Sequence, residues 1–297
     1  MMSASADIRL LHIEDMYKWY GDKLVLENID LGVREGTFCS VVGPSGSGKS
    51  TLFRIVLGQE RATRGTVEFD GRTISEPGLE RGIVYQRYSL YPHLSVLDNV
   101  ALARTLRVSL LERWRRRNEF EQQAMEILER VKLAEHARKY PQELSGGMQQ
   151  RVAIAQALLA RPRVVLMDEP FGALDPETRE SMQVFLLELW EETRMTVFFV
   201  THDMEEAVYL GTRVLVLSPN YIDDRGPAFK RGSRIVADYA LANAVTSTKV
   251  KKSPEFLSLV SDIRRQGFDP TILHHIREFD LKHPDSFSTP TAEELRR

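Results

Sequence analysis

The chain has 297 residues, 42% of them hydrophobic, enough for one α/β domain of about 220 residues with an appendage. A formal net charge of −2 carries no polyelectrolyte signature and argues against a dedicated nucleic-acid binder. A single cysteine, Cys39, allows no intrachain disulfide and suits a reducing compartment. Met1 to Asp7 lack the order of a signal peptide, and no apolar run approaches the ~18 residues of a membrane span.

In chain order, residues 8–35 alternate apolar and polar with turn signals, which predicts an antiparallel β layer. Phe38–Val42 reads as a short buried strand of a parallel sheet. It runs into Gly43-Pro44-Ser45-Gly46-Ser47-Gly48-Lys49-Ser50, a GxxxxGK[ST] loop, and Thr51–Leu57 continues as a helix. The glycines let backbone N–H groups turn inward onto phosphate oxygens. Lys49 is placed to reach the β and γ phosphates, Ser50 to offer a hydroxyl to Mg²⁺, and the helix dipole at Thr51 faces the anion. This strand–loop–helix binds a nucleoside triphosphate.

Asp70-Gly71 signals a hairpin between two short strands. From Tyr88 to Arg161 the pattern is helical apart from Pro92 and Pro141. Within it Arg113, Arg115, Arg116 and Arg117 surround Trp114; the first reading is a solvated helix face, the second a contact with anionic headgroups. Val164–Met167 is apolar throughout, as a strand covered on both faces should be, and delivers Asp168 and Glu169 to the carboxyl edge of the sheet. Asp168 would hold Mg²⁺, directly or through water, and Glu169 would polarise the attacking water. Strand–helix alternation continues to about residue 218, with the strand Thr196–Val200 ending at Thr201-His202-Asp203.

The tail, 219–297, predicts two amphipathic helices. One opens at Ser253-Pro254, carries Phe256, Leu259, Val260 and Ile263, and closes at Gly267. The other opens at Asp269-Pro270 with Ile272, Leu273, Ile276 and Phe279 on one side. Residues from Ser286 onward are expected to be disordered.

At Leu144-Ser145-Gly146-Gly147-Met148-Gln149-Gln150-Arg151 the chain resembles the ABC-transporter ATPases. Ser145, Gly146 and Gly147 open a helix with Met148, Val152, Ala155 and Leu159 at its apolar positions, a second N-terminus able to meet a γ-phosphate. As a bare Ser-Gly-Gly it would be an ordinary helix cap. The resemblance covers residues 8–218 and implies a P-loop NTPase cassette of α/β class. Such a cassette has a parallel core sheet, an antiparallel β layer and an inserted helical subdomain (about 88–161), here followed by a short, partly helical tail.

The resemblance also implies roles. Tyr20 matches the aromatic on which adenine stacks, with Trp19 as the alternative and core packing as the plain reading of either ring. Gln86 matches the glutamine that contacts Mg²⁺ and attacking water, His202 the switch histidine at the γ-phosphate, and Asp175 of Ala173-Leu174-Asp175 the loop that crosses to the opposite subunit. Two subunits would sandwich two ATP molecules, each between Lys49 of one chain and Ser145 and Gly147 of the other.

Among three classes the resemblance favours an importer ATPase over a split exporter ATPase or a soluble ABC protein. Gln86–Val100 and Met167–Asp175 resemble importers for nitrate, sulfonate and taurine, while Leu57-Gly58-Gln59 and Leu210-Gly211-Thr212-Arg213 resemble members associated with urea or guanidine carboxylase. The implied cofactors are ATP and Mg²⁺. The implied partners are a second ATPase subunit, transmembrane permease subunits at the cytoplasmic face of the inner membrane and, indirectly, a periplasmic or lipid-anchored solute-binding protein, with no nucleic acid. Tyr88, Leu90, Tyr91 and Pro92 are expected to form a groove for a permease helix.

Overall fold

The computed structural model describes residues 9–85, 90–226, 229–241 and 248–290; Gln86 and Tyr88 lie outside them. The chain divides into two compact units, residues 1–78 with 196–297, and residues 79–195.

The first unit opens with β1 (Arg9–Tyr20) and β2 (Lys23–Arg34), an antiparallel pair turning at Gly21, whose φ of 55° is the left-handed conformation such a turn needs. β3 (Phe38–Val42) is buried along its whole length and feeds α1 (Lys49–Val56). β4 (Arg64–Phe69) and β5 (Arg72–Thr73) form the expected hairpin at Asp70-Gly71, and β4 also pairs with β1, giving a sheet of order β2-β1-β4-β5.

The second unit contains β6 (Arg81–Val84), then α2 (Val96–Thr105), α3 (Leu110–Arg115), α4 (Arg117–Arg130) and α5 (Gly146–Leu159), then β7 (Val164–Asp168) and α6 (Pro176–Thr193). Side chains cap four of these helices at their starts: Ser95, Ser109, Ser145 and Asp175. Phe120, Ala124 and Leu128 of α4 and Val152, Ala155 and Leu159 of α5 are buried. β6 and β7 run parallel, with Val84 opposite Met167.

The chain then returns to the first unit with β8 (Thr196–Val200), α7 (Met204–Leu210), β9 (Arg213–Ser218), β10 (Tyr221–Ile222), β11 (Arg234–Ala240), α8 (Pro254–Gly267), β12 (His274–His275) and β13 (Asp280–Leu281). Its strands lie in the order β13-β11-β9-β3-β8. β3 is parallel to both β8 and β9, so helices must cover both faces, and every residue of the three strands is buried. Phe53 of α1 meets Phe198 of β8 edge-on, with ring centroids 6.2 Å apart.

The tail departs from expectation in two places. α8 forms where its spacing predicts, capped by Ser253, and buries Phe256, Val260 and Ile263. Gly267 passes so close to β9 that a Cβ there would lie 2.2 Å from Val216 Cγ1. The second helix does not form. Asp269 instead accepts from the Thr271 N–H (2.9 Å) and hydroxyl (2.6 Å), closing a turn, and His274–His275 pairs in parallel with β10. Ile276–Glu278 makes one 3₁₀ turn before β13 joins β11.

Of the end expected to be disordered, residues 291–297 lie outside the described residues, while 286–290 contact the first strands. Thr289 Oγ1 donates to Asp30 (3.0 Å), Asn28 donates to the Thr289 carbonyl (3.3 Å), and Phe287 stacks on His12 at 5.3 Å. The tail is thus a working edge of the first unit. Arg213, 1% exposed, donates two hydrogen bonds to Asp238 of β11 (2.8 and 2.6 Å) and a third to the Gly32 carbonyl.

Candidate nucleotide site

β3 ends where the phosphate loop begins. Gly43 is squeezed against β9: a Cβ would lie 2.0 Å from the Leu217 carbonyl oxygen, so only glycine lets the backbone turn there. Gly46 and Gly48 take φ of 79° and 87°. Lys49 folds into the loop, its ammonium donating to the carbonyls of Gly43 (2.8 Å) and Pro44 (3.0 Å). Ser45 and Gly46 are exposed at the tip, and Ser50 is exposed at the start of α1. Ser47 is fully buried, and its hydroxyl has no hydrogen-bond partner among the described residues.

The helix behind the loop is built for an anion. Gly48 caps α1 with no side-chain hydrogen bond, and the first turn holds no acid, whereas Ser145, Asp175, Asp203 and Ser253 cap their helices with side-chain oxygens. Backbone N–H groups of the first turn of α1 therefore point outward with positive partial charge. Below the loop, burial pushes the Cys39 thiol up to about 12, which leaves it protonated and unreactive.

Tyr20 stands beside this helix. The residue is 42% exposed, and its phenol donates to Glu60. Glu60 is fixed in turn by Lys18 (3.2 Å) and Arg54 (2.9 Å). Trp19 is half-buried, and one of its faces is covered by Tyr17, with centroids 5.2 Å apart and planes 9° from parallel. His202 is exposed just past β8, at the edge from which the phosphate loop leaves β3, since Val41 pairs with Val200. Asp203 caps α7 and Thr201 bonds Glu206 at 2.6 Å, so the backbone on both sides of His202 is held.

In the second unit, β7 carries Asp168 and Glu169 at its carboxyl end, both half-buried. Glu169 has φ of 47°, a conformation costing a non-glycine residue about 1–3 kcal/mol. Its carbonyl accepts from the Gly172 N–H at 3.2 Å, which closes the turn that aims it. Ser145 caps α5 by accepting from Met148 N–H at 3.3 Å, and Gly146 and Gly147 form the first turn, again without an acid. A Cβ on Gly147 would lie 3.1 Å from Leu174, so this glycine seats the α5 N-terminus against Ala173-Leu174. Asp175 accepts from Thr178 N–H at 3.0 Å as the cap of α6, and this bond holds its carboxyl below the usual range.

Three supporting residues escape sequence reasoning: Glu60, which positions Tyr20, and Asn99 and Gln150. Asn99 is fully buried and ties down the backbone of Tyr91 (2.8 and 3.0 Å), Leu94 and Ser95 (3.0 Å each). Gln150 donates to the Tyr85 carbonyl at 3.4 Å, linking α5 to the residue before Gln86.

Residues 26–172 match the family model described as ABC transporter. The taurine import ATP-binding protein of Rhizobium johnstonii is 42% identical over 245 residues, 80% of this chain and 87% of that protein. The nitrate import ATP-binding protein of Synechocystis is 40% identical, over 82% of this chain and 88% of its own length. The aliphatic sulfonates import ATP-binding protein of Bacillus subtilis is 44% identical over 65% of this chain and 72% of its own. Among solved structures, a dimeric bacterial ABC transporter cassette superposes with a TM-score of 0.64 at 32% identity, covering 78% of this chain and 99% of that one. The same cassette, bound to ADP and Pi in a post-hydrolysis state, gives 0.64 at 30% identity, again over 78% of this chain and 99% of the other. Phosphate loop, acid-tipped strand and glycine-opened helix thus occur in a chain that matches these relatives over 65–82% of its length: it belongs to the ABC transporter family, as an ATP-binding ATPase.

Proposed function

We propose that the chain is the ATP-hydrolysing subunit of an ABC importer, working as a dimer that holds two ATP–Mg²⁺ and drives a separate permease from the cytoplasmic face of the membrane. The observation that carries this reading is a pair of acid-free helix N-termini, α1 behind Lys49 and α5 behind Ser145. One grips the phosphates of its own ATP; the other completes the site of the opposite subunit. Relatives named for the import of taurine, nitrate and sulfonates support importer over exporter and suggest a small solute of that kind, while the resemblance at Leu57-Gly58-Gln59 and Leu210–Arg213 adds a urea- or guanidine-like molecule. Among the described residues no helix is long and apolar enough to cross a membrane.

The roles follow from the residues. Backbone N–H groups from Ser45 to Thr51 cradle the phosphates, and Lys49 exchanges its loop carbonyls for β and γ oxygens. The buried, unpartnered Ser47 hydroxyl is a donor waiting at that cradle. Among the described residues no group of three or more His, Cys, Asp or Glu could cage a metal. Mg²⁺ keeps its waters and leans on one carboxylate and phosphates: Asp168 and Ser50 would hold it, with Gln86. The ion would supply neutralisation of phosphate charge. Glu169 orients the attacking water, His202 contacts the γ-phosphate, and Asp175 crosses toward the partner. Tyr20, with its exposed ring, is the better stacking platform for adenine than Trp19.

Glu169→Gln tests the reading. It preserves shape but removes the base, so ATP binding should persist while turnover falls by about 10²-fold or more, and ATP should trap a dimer on size exclusion. Hydrolysis near the wild-type rate would remove Glu169 from its role.

A further inference from the structure

α3 has no buried residue, yet it is rich in large apolar side chains. Leu106, Leu110, Leu111 and Trp114 stand within nine residues and are 62%, 78%, 66% and 79% exposed. Core packing does not account for them, and their exposure is costly in water. At about 100° per residue, Leu110, Trp114 and Leu111 span an arc of about 100° on α3, with Arg115 about 40° beyond its edge. The helix is nonetheless firmly held: Ser109 and Glu112 form a capping box, and the Arg113 guanidinium donates to the Thr105 carbonyl at 3.3 and 3.0 Å. Arg107 extends the patch by donating to the Leu79 carbonyl, and Leu79 is itself 64% exposed.

The charge around the patch selects its partner. From Arg104 to Glu121 the sequence holds six arginines against three glutamates, in a chain of net charge −2. Arg116 and Arg117 pair with Glu119 (2.8 Å) and Glu121 (2.7 Å) in solvent, where such pairs are weak and exchange readily. Arg115 makes no ion pair among the described residues. Exposed leucines and a tryptophan in an arginine-rich segment are the chemistry of a surface that lies in a membrane interface: apolar side chains enter the acyl boundary, indole sits at headgroup depth, and guanidinium groups reach phosphates.

We infer that this face docks directly on an anionic lipid bilayer, a contact separate from any permease and independent of the nucleotide chemistry. The full chain should co-sediment with vesicles of phosphatidylcholine mixed with phosphatidylglycerol and not with phosphatidylcholine alone, and added salt should weaken the binding. Leu110→Ser/Leu111→Ser/Trp114→Ser should reduce vesicle binding about tenfold or more, with ATPase activity and melting temperature unchanged because α3 buries nothing. Arg115→Glu alone should weaken binding to anionic vesicles. The chain has three tryptophans, so a blue shift of emission on adding vesicles should disappear in Trp114→Phe if that ring is the one that enters. Absence of binding to anionic vesicles, or equal binding by wild type and the triple variant, would overturn the inference. Failure to bind vesicles, combined with loss of a co-purifying membrane protein in the triple variant, would assign the face to a protein partner instead.

Discussion

Ser145 has two separable duties, and one substitution tells them apart. Its hydroxyl caps α5, accepting from Met148 N–H at 3.3 Å, and it is proposed to meet the γ-phosphate held by the partner subunit. Ser145→Asp keeps the first duty: aspartate equals serine as an N-cap, and its charge gains about 0.3–1 kcal/mol from a helix terminus with no acid in its first turn. The melting temperature without nucleotide should therefore hold or rise by about 2 °C. The second duty should fail. A carboxylate about 4 Å from a phosphate charge at an effective dielectric near 20 meets about 4 kcal/mol of repulsion, a factor of about 10³ in ATP-driven association. Size exclusion in a Glu169→Gln background reads dimerisation, and phosphate release reads turnover. Ser145→Ala is the control, losing about 1 kcal/mol of stability with the cap. If Ser145→Asp hydrolyses ATP and dimerises like the wild type, Ser145 is a cap alone, and α5 does not face the partner's nucleotide.

Lys49→Ala should weaken ATP binding by about 10–100-fold, the worth of a lost charge-assisted contact, and calorimetry showing normal affinity would count against the phosphate loop. Tyr20→Ala should cost about 1–3 kcal/mol of nucleotide affinity with Trp19→Ala near neutral; the reverse pattern would move the stacking platform by one residue. Asp238→Ala leaves Arg213, 1% exposed, without its carboxylate and should destabilise folding by about 3–5 kcal/mol in denaturant titration, while nucleotide affinity of the folded protein is kept. A loss below about 1 kcal/mol would show that the Gly32 carbonyl suffices to hold the guanidinium.

The parts of the site that were legible in the sequence are those whose chemistry demands fixed spacing along a few consecutive residues. Gly43 to Ser50 make one turn from strand to helix, proposed to wrap a phosphate chain, and Ser145 to Gly147 open one helix, so each shows as a run. Glu60 and Asn99 act instead across gaps in the chain. Glu60 meets Tyr20 forty residues away, and Asn99 satisfies carbonyls at 91, 94 and 95 from within a helix. Neither belongs to a pattern, because the geometry that makes each useful exists only once β1 lies beside α1 or once the 91–95 turn is folded.

The tail shows the same limit from the other side. α8 was legible because its apolar stripe is dictated by its own 3.6-residue period, and Ser253-Pro254 marks its start. The stretch after Asp269 carries a helical spacing too, but spacing alone does not outbid a local alternative. Asp269 takes the donors of Thr271 into a turn, and β10 and β11 each offer an unpaired edge that His274–His275 and Asp280–Leu281 fill. With a single 3₁₀ turn, capped by His275, in place of a regular helix, a two-turn helix here would have had to offset its own nucleation cost. β13 meets that cost with hydrogen bonds to a sheet already formed, and β12 by pairing with β10. The last described residues follow from that choice: once β13 lies on β11, Ser286 can reach Asp238, the carboxylate that also holds Arg213, and Thr289 can reach Asp30. A sequence end that reads as polar and unstructured is thereby joined to the buried ion pair at the core of the first unit.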